Sequence, residues 1–305
     1  MSRAALSGTM NFARQRISGG GTRMIARDPV LTDLVTGTVA VSAATILVRQ
    51  LRAMRAATTS DDPTQALWSM LAKPALTHIA EHVLSTCQGR TGAHGTLTIS
   101  RLTDWARNRF GASIAEGETQ VLQYKSGILL ATQPPLLLPG TPTNLPVAVD
   151  YLARREHILA DRIRAGDYAA AGPVLGPGSA AIALATATAE RALAIAPLIA
   201  ASTTDNPDAA HMLTTISQAY AIERVHHHAR WFSDHHIDTT TPTTADLARH
   251  HAYLADHIHQ LIEAFDTPDL PGSPLAAADY TTPYEQLTGW GPTTFISIHP
   301  HSADV

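Results

Sequence analysis

Two short stretches hold the residues whose types and spacing suit chemistry. The first is Ala115-Glu116-Gly117-Glu118-Thr119-Gln120, two carboxylates flanking a glycine. It opens an amphipathic run whose apolar positions are Val121, Leu122, Ile128 and Leu129, with Thr119 expected to cap the helix start. Helix N-termini favour anionic groups, so on residue types an anionic cofactor and one carboxylate could meet here. The second stretch is Gly89-Arg90-Thr91-Gly92-Ala93-His94-Gly95. Its glycines let a flat or phosphorylated ligand approach the backbone, and Arg90 is a side chain able to pair with a phosphate. On residue types alone, two ordinary helix-linking loops explain the same pattern.

The elements that must position these stretches read as helices. Leu6, Met10, Ala13 and Ile17 recur at helical spacing until Ser18-Gly19-Gly20-Gly21 stops the run. Asp28-Pro29 starts a second helix with Val30, Leu34, Val41, Val48 and Leu51 inward, and Arg49, Arg52 and Arg55 on a solvated face. Residues 65–86 form a third, with Pro74 inside it. Residues 132–146 carry five prolines and read as a linker. Helical patterns return over 147–165, 179–201, 209–232 and 244–265. The one period-2 run, Thr96 to Ile99, is ambiguous. The expected fold class is all-α in two helical bundles, residues 1–131 and 147–305.

A formal net charge of −4 and a pI near 6.4 give no reason to expect nucleic acid as a partner. A single cysteine, Cys87, excludes an internal disulfide and fits a reducing compartment. The most apolar stretch, 180–201, is broken by Glu190-Arg191 and Pro197 and does not read as a membrane span. No secretory leader is visible and the C-terminus lacks a Ser-Lys-Leu address, so a cytoplasmic protein is expected. Histidines are frequent, from His78 and His82 to His226-His227-His228, His250 and His257. Consecutive histidines point different ways around a helix, and no metal site is expected.

Taken together, Cys87, Gly92-Ala93-His94-Gly95 and Glu116-Gly117-Glu118-Thr119-Gln120-Val121-Leu122 resemble the flavin-binding, catalytic helical domain of the acyl-CoA dehydrogenases, most of all the acyl-CoA oxidases. In that family a helix ends in a GGxG or GGHG turn, a connector follows, and then comes an aromatic-Glu-Gly phrase. Here Ala115 stands in the aromatic position. Near the other end, Ala264-Phe265-Asp266-Thr267-Pro268 is similar to the turn that closes the last helix of the oxidases.

The resemblance implies FAD as cofactor and an acyl thioester, of coenzyme A or a carrier protein, as substrate. It implies Glu116 as catalytic base. Gly89, Arg90, Thr91, Gly92 and Ala93 would lie along the FAD, Glu118 and Gln120 near its adenine side, and Arg16 on the pyrophosphate of a neighbouring subunit's flavin. The family's central β-domain has no counterpart here, and the chain begins with Met1 where the helical unit should start. A second polypeptide carrying the N-terminal helical and β domains is therefore expected, in a hetero-oligomer. The alternative is a non-catalytic helical partner that stabilises an active oxidase-like subunit.

Overall fold

The computed structural model describes residues 1–58, 62–173, 175–268 and 270–288. The C-terminal tripeptide lies outside them. Thirteen α-helices are described, with one two-residue hairpin as the only strands among the described residues. The first six helices are α1 (Ser2–Gln15), α2 (Asp28–Ala56), α3 (Pro63–Thr91), α4 (Ala93–Thr96), α5 (Leu102–Ile114) and α6 (Thr119–Thr132). Then come α7 (Val147–Arg164), α8 (Pro177–Thr203), α9 (Pro207–His227), α10 (Ala229–Asp234), α11 (Thr244–Asp256), α12 (Ile258–Glu263) and α13 (Thr281–Thr288). The fold class is all-α, as the sequence indicates.

Local chemistry accounts for most boundaries. The glycine run after α1 becomes the turn of a hairpin pairing Ile17 with Arg23 and Ser18 with Thr22. Asp62 caps α3 by accepting from the Thr64 N–H at 2.8 Å, and Pro63 occupies the first turn, where no N–H is required. The period-2 run at 96–99 forms no strand: it ends α4 and enters a 3-10 turn, Thr98–Ser100. Two expected long helices are each broken at a histidine, between α9 and α10 at His228 and between α11 and α12 at His257. Both residues leave the helical φ/ψ region, and the His228 ring bonds to the Glu190 carboxylate of α8.

The Ala-rich helix α8 is the axis against which α2, α6, α7 and α9 pack. Its smallness matters most at α6. A Cβ on Gly127 would sit 1.9 Å from the Ala181 carbonyl oxygen, so only glycine permits this crossing. That contact reverses the expected orientation of α6. The buried face is the small and polar one, with Thr119, Gln123, Ser126, Gly127 and Leu130, while Val121 is 58% exposed and Tyr124 and Ile128 are exposed beside it. Large side chains cannot enter so close a crossing, so they face outward.

Residues 133–146 form no helix, and Leu138 within them is buried in the same core as Leu34, Leu71, Leu184 and Ile195. The helices before and after this segment thus share one apolar core. Helices α2 and α8 are long and apolar enough to cross a membrane by length and composition. Their apolar windows are 61% and 83% buried against other helices, the pattern of core elements.

Candidate active site

Helix α5 runs back along α3 and delivers the 115–118 loop beside the first half of α3. One side chain pins that loop. Lys73 of α3 donates through Nζ to the carbonyl oxygens of Gly117 (2.6 Å) and Ser113 (2.9 Å), with Thr119 Oγ1 at 3.4 Å. Thr119 Oγ1 in turn donates to the Ser113 carbonyl at 2.9 Å. Glu116 sits in this loop at φ 56°, a left-handed conformation that L-residues avoid. A non-glycine residue held there against its preference is the kind of strain that collects at functional sites.

Glu116 lines one end of a cleft of about 660 Å³ between α2, α3 and the end of α5. Val48, Leu51, Trp68 and Leu76 make its apolar walls, and Arg52 and Arg55 its rim. Both arginines are exposed and make no ion pair among the described residues. Glu118, not Thr119, caps α6: its Oε2 accepts from the Val121 N–H at 3.0 Å. Hydrogen bonds from the Gln120 and Val121 backbones, helped by the Lys73 charge, hold the Glu118 carboxyl below its usual range. Gln120, two residues on, is exposed. A carboxylate beside an apolar trough with a cationic rim suits proton abstraction from an apolar ligand carrying an anionic end.

The glycine turn lies elsewhere. Thr91 and Gly92 end α3, and the 19 residues from Lys73 to Gly92 span roughly 28 Å at the helical rise of ~1.5 Å per residue. The two glycine turns are separated along α3, because α5 returns antiparallel to it. At the turn, Gly89, Gly92 and Ala93 are exposed, and a Cβ on Gly89 or Gly92 would meet nothing within 4 Å. Gly95 is constrained, since a Cβ there would lie 2.2 Å from Thr91 Oγ1. Thr91 is buried and donates to the Cys87 carbonyl at 2.8 Å. Arg90 is engaged in an ion pair with Asp33 of α2.

Arg16, at the end of α1, donates from Nη1 to the Tyr280 hydroxyl at 3.0 Å. Around it Phe12, His94, Tyr280 and Tyr284 pack their rings, with His94 4.8 Å from Tyr284 centroid to centroid. Burial, and the nearby Arg16 charge, push the His94 pKa down. The buried Cys87 thiol is pushed up to about 11 by burial, which makes it a poor nucleophile. Among the described residues no group of three or more His, Cys, Asp or Glu side chains could hold a metal ion.

The sequence-based site thus divides into two clusters, Glu116, Glu118 and Gln120 at one and Arg16 with Gly89 to Ala93 at the other. Lys73 was missed. It is one of only two lysines in a chain rich in arginine, and it interrupts the mostly apolar run from Ala66 to Leu76 just before Pro74. That oddity is the only signal the sequence offers for it. The cleft between α2 and α3 was also missed, because Val48 and Leu51 were assigned to the core.

No protein-family model matches the chain, and no curated protein matches it in sequence. Solved structures do match. Acyl-CoA oxidase 1 of Arabidopsis thaliana superposes with a TM-score of 0.73 at 17% identity, over 98% of this chain and 53% of that one. The tomato (Lycopersicon esculentum) acyl-CoA oxidase gives 0.72 at 16% identity, over 95% and 52%. Acyl-CoA oxidase-1 of Caenorhabditis elegans, solved in complex with FAD and ATP, gives 0.71 at 14% identity, over 95% and 51%. The chain spans about half the length of these structures, and at this identity the likeness shows a shared fold: that of the helical C-terminal domains of acyl-CoA oxidases.

Proposed function

We propose that this chain is the helical subunit of a split, FAD-dependent acyl-CoA oxidase or dehydrogenase, acting in a cytoplasmic hetero-oligomer. The observation that carries this is Glu116, held in a left-handed conformation in a loop tied down by Lys73, at the end of an apolar cleft rimmed by Arg52 and Arg55. The reaction is α,β-dehydrogenation of an acyl thioester. The Glu116 carboxylate takes the α-proton and the β-carbon loses a hydride, leaving an enoyl thioester.

FAD, when bound, supplies the two-electron acceptor for that hydride. The open backbone at Gly89 and Gly92 fits a flat ligand; Thr91 and Ala93 flank Gly92 in the chain, and Arg16 lies near His94 of the same turn. Glu118 and Gln120 would meet the cofactor's adenine side at the other cluster. Two clusters roughly 28 Å apart along α3 would serve different flavins of one oligomer. Arg90 contributes there only if it exchanges Asp33 for a phosphate. The apolar walls exclude water from the acyl chain, and Arg52 and Arg55 attract the anionic carrier, coenzyme A or a phosphopantetheine arm. The exposed Phe110, Ile114, Val121 and Tyr124 beside the loop support a covering surface, assigned here to a second polypeptide with the N-terminal helical and β domains.

The test is Glu116→Gln in the complex assembled with that companion chain. The amide keeps size and hydrogen bonding but accepts no proton. FAD content and assembly should stay at the parental level, while flavin reduction by an acyl thioester, followed by rapid-mixing absorbance, should fall by at least about 10². Reduction at the parental rate would leave this chain as a non-catalytic partner.

A further inference from the structure

A second cavity, of about 440 Å³, lies on the other side of α3, between it and α2, α6, α8 and α9. It shares no lining residue with the Glu116 cleft. Its volume falls within the range of about 300–1,000 Å³ typical of small-molecule sites. One wall is apolar, with Leu71, Ile79, Ala189 and Leu193. The opposite wall is α9, which presents Tyr220 and Arg224.

One donor on that wall is buried and unsatisfied. The Arg224 Nε is fully buried with no hydrogen-bond partner, and its guanidinium makes no ion pair among the described residues. It lies 5.8 Å from the centroid of the Tyr220 ring. Tyr220 is only 5% exposed and lines the cavity, and its hydroxyl makes no hydrogen bond to protein among the described residues. The carboxylates that line the same space are already engaged. Glu190 is bonded by Arg155 and His228, and Glu223 by His251. Buried donors without acceptors are unfavourable, and a guanidinium is best satisfied by a planar carboxylate.

We propose that this cavity binds a monocarboxylate with a linear apolar tail, its head on Arg224 and Tyr220 and its tail along Leu71, Ile79 and Leu193. One negative charge is what the site accommodates. A dianion would meet the Glu190 and Glu223 carboxylates, and an uncharged head would leave Arg224 unpaired. The exposed His78, His82 and His227 line the cavity where it meets solvent.

Calorimetric titration of the purified chain with dodecanoate, dodecanol and inorganic phosphate tests this. Dodecanoate below its micellar concentration should bind saturably at one site, with dodecanol and phosphate at least about tenfold weaker. Arg224→Met should weaken dodecanoate by at least about tenfold and Tyr220→Phe by several-fold. Both variants should keep the parental circular dichroism. If Arg224→Met does not fold, Tyr220→Phe and the cavity-filling Ala189→Leu, which should abolish binding, decide the matter. Absence of dodecanoate binding, dodecanol bound as tightly, or full affinity in Tyr220→Phe and Arg224→Met would overturn the proposal. The result is independent of the Glu116 assignment, since Glu116→Gln should bind dodecanoate like the parent.

Discussion

Arg155 Nη1 lies 3.0 Å from Glu190 Oε2, and the two side chains are 7% and 10% exposed. His228 Nε2 approaches the same carboxylate oxygen at 2.8 Å. Burial alone would raise the Glu190 pKa, but the His228 hydrogen bond and the His228 and Arg155 charges outweigh it and hold the carboxyl below its usual value of 4.5. A depressed folded-state pKa means stability that is complete above that value and lost as pH falls through the folded one.

Glu190→Gln should therefore lower stability at pH 7 by about 3 kcal/mol, because Arg155 is left buried without its counter-charge. Below pH 4.5 the gap between parent and variant should narrow. Urea denaturation across a pH series checks both. A constant gap down to pH 2 would mean that Glu190 takes up its proton at the same pH in the folded and unfolded states.

Lys73→Met keeps the aliphatic stem and removes the ammonium that holds the Gly117 and Ser113 carbonyls. Charged hydrogen bonds of this kind stabilise by about 1.5–3 kcal/mol. The expected result is a loss of about 2 kcal/mol with faster hydrogen exchange confined to residues 113–120.

Gly127→Ala places a methyl against the Ala181 carbonyl, and the backbones must part. A destabilisation of about 1–3 kcal/mol or more follows from overpacking. The neighbouring Ile128→Ala, at an exposed position, should stay within about 0.5 kcal/mol. Thermal unfolding of the pair separates crossing geometry from hydrophobicity.

Glu116→Gly relieves the left-handed strain while giving the unfolded chain more freedom. These effects oppose one another at about 1 kcal/mol each, so the melting temperature should not fall appreciably. Complete loss of dehydrogenation alongside unchanged stability would show that the side chain is kept for chemistry.

The all-α fold and most helix spans were legible because apolar periodicity and stop signals such as Gly19-Gly20-Gly21 are local. The Glu116 loop was legible as a carboxylate in a glycine turn. What escaped was set by contacts between distant residues. Nothing local says that α6 turns its Gly127 side inward, since that follows from the approach of Ala181. The role of Lys73 depends on where α5 ends 40 positions later, and the His228 ring at the break after α9 is held by Glu190 of another helix. The distance between the two glycine turns was hidden for the same reason: it depends on the direction in which α5 runs back along α3.

The crossing of α6 on α8 also limits how this sequence can drift over generations. A larger residue at 127 must push back the α8 backbone at Ala181, and α8 carries Glu190 and Arg191 in buried ion pairs a few turns further on. Displacing one contact therefore strains charges that have no water to retreat into. Because the clash is with the Ala181 backbone, no side chain at 181 can relieve it, and the crossing itself holds position 127 to glycine.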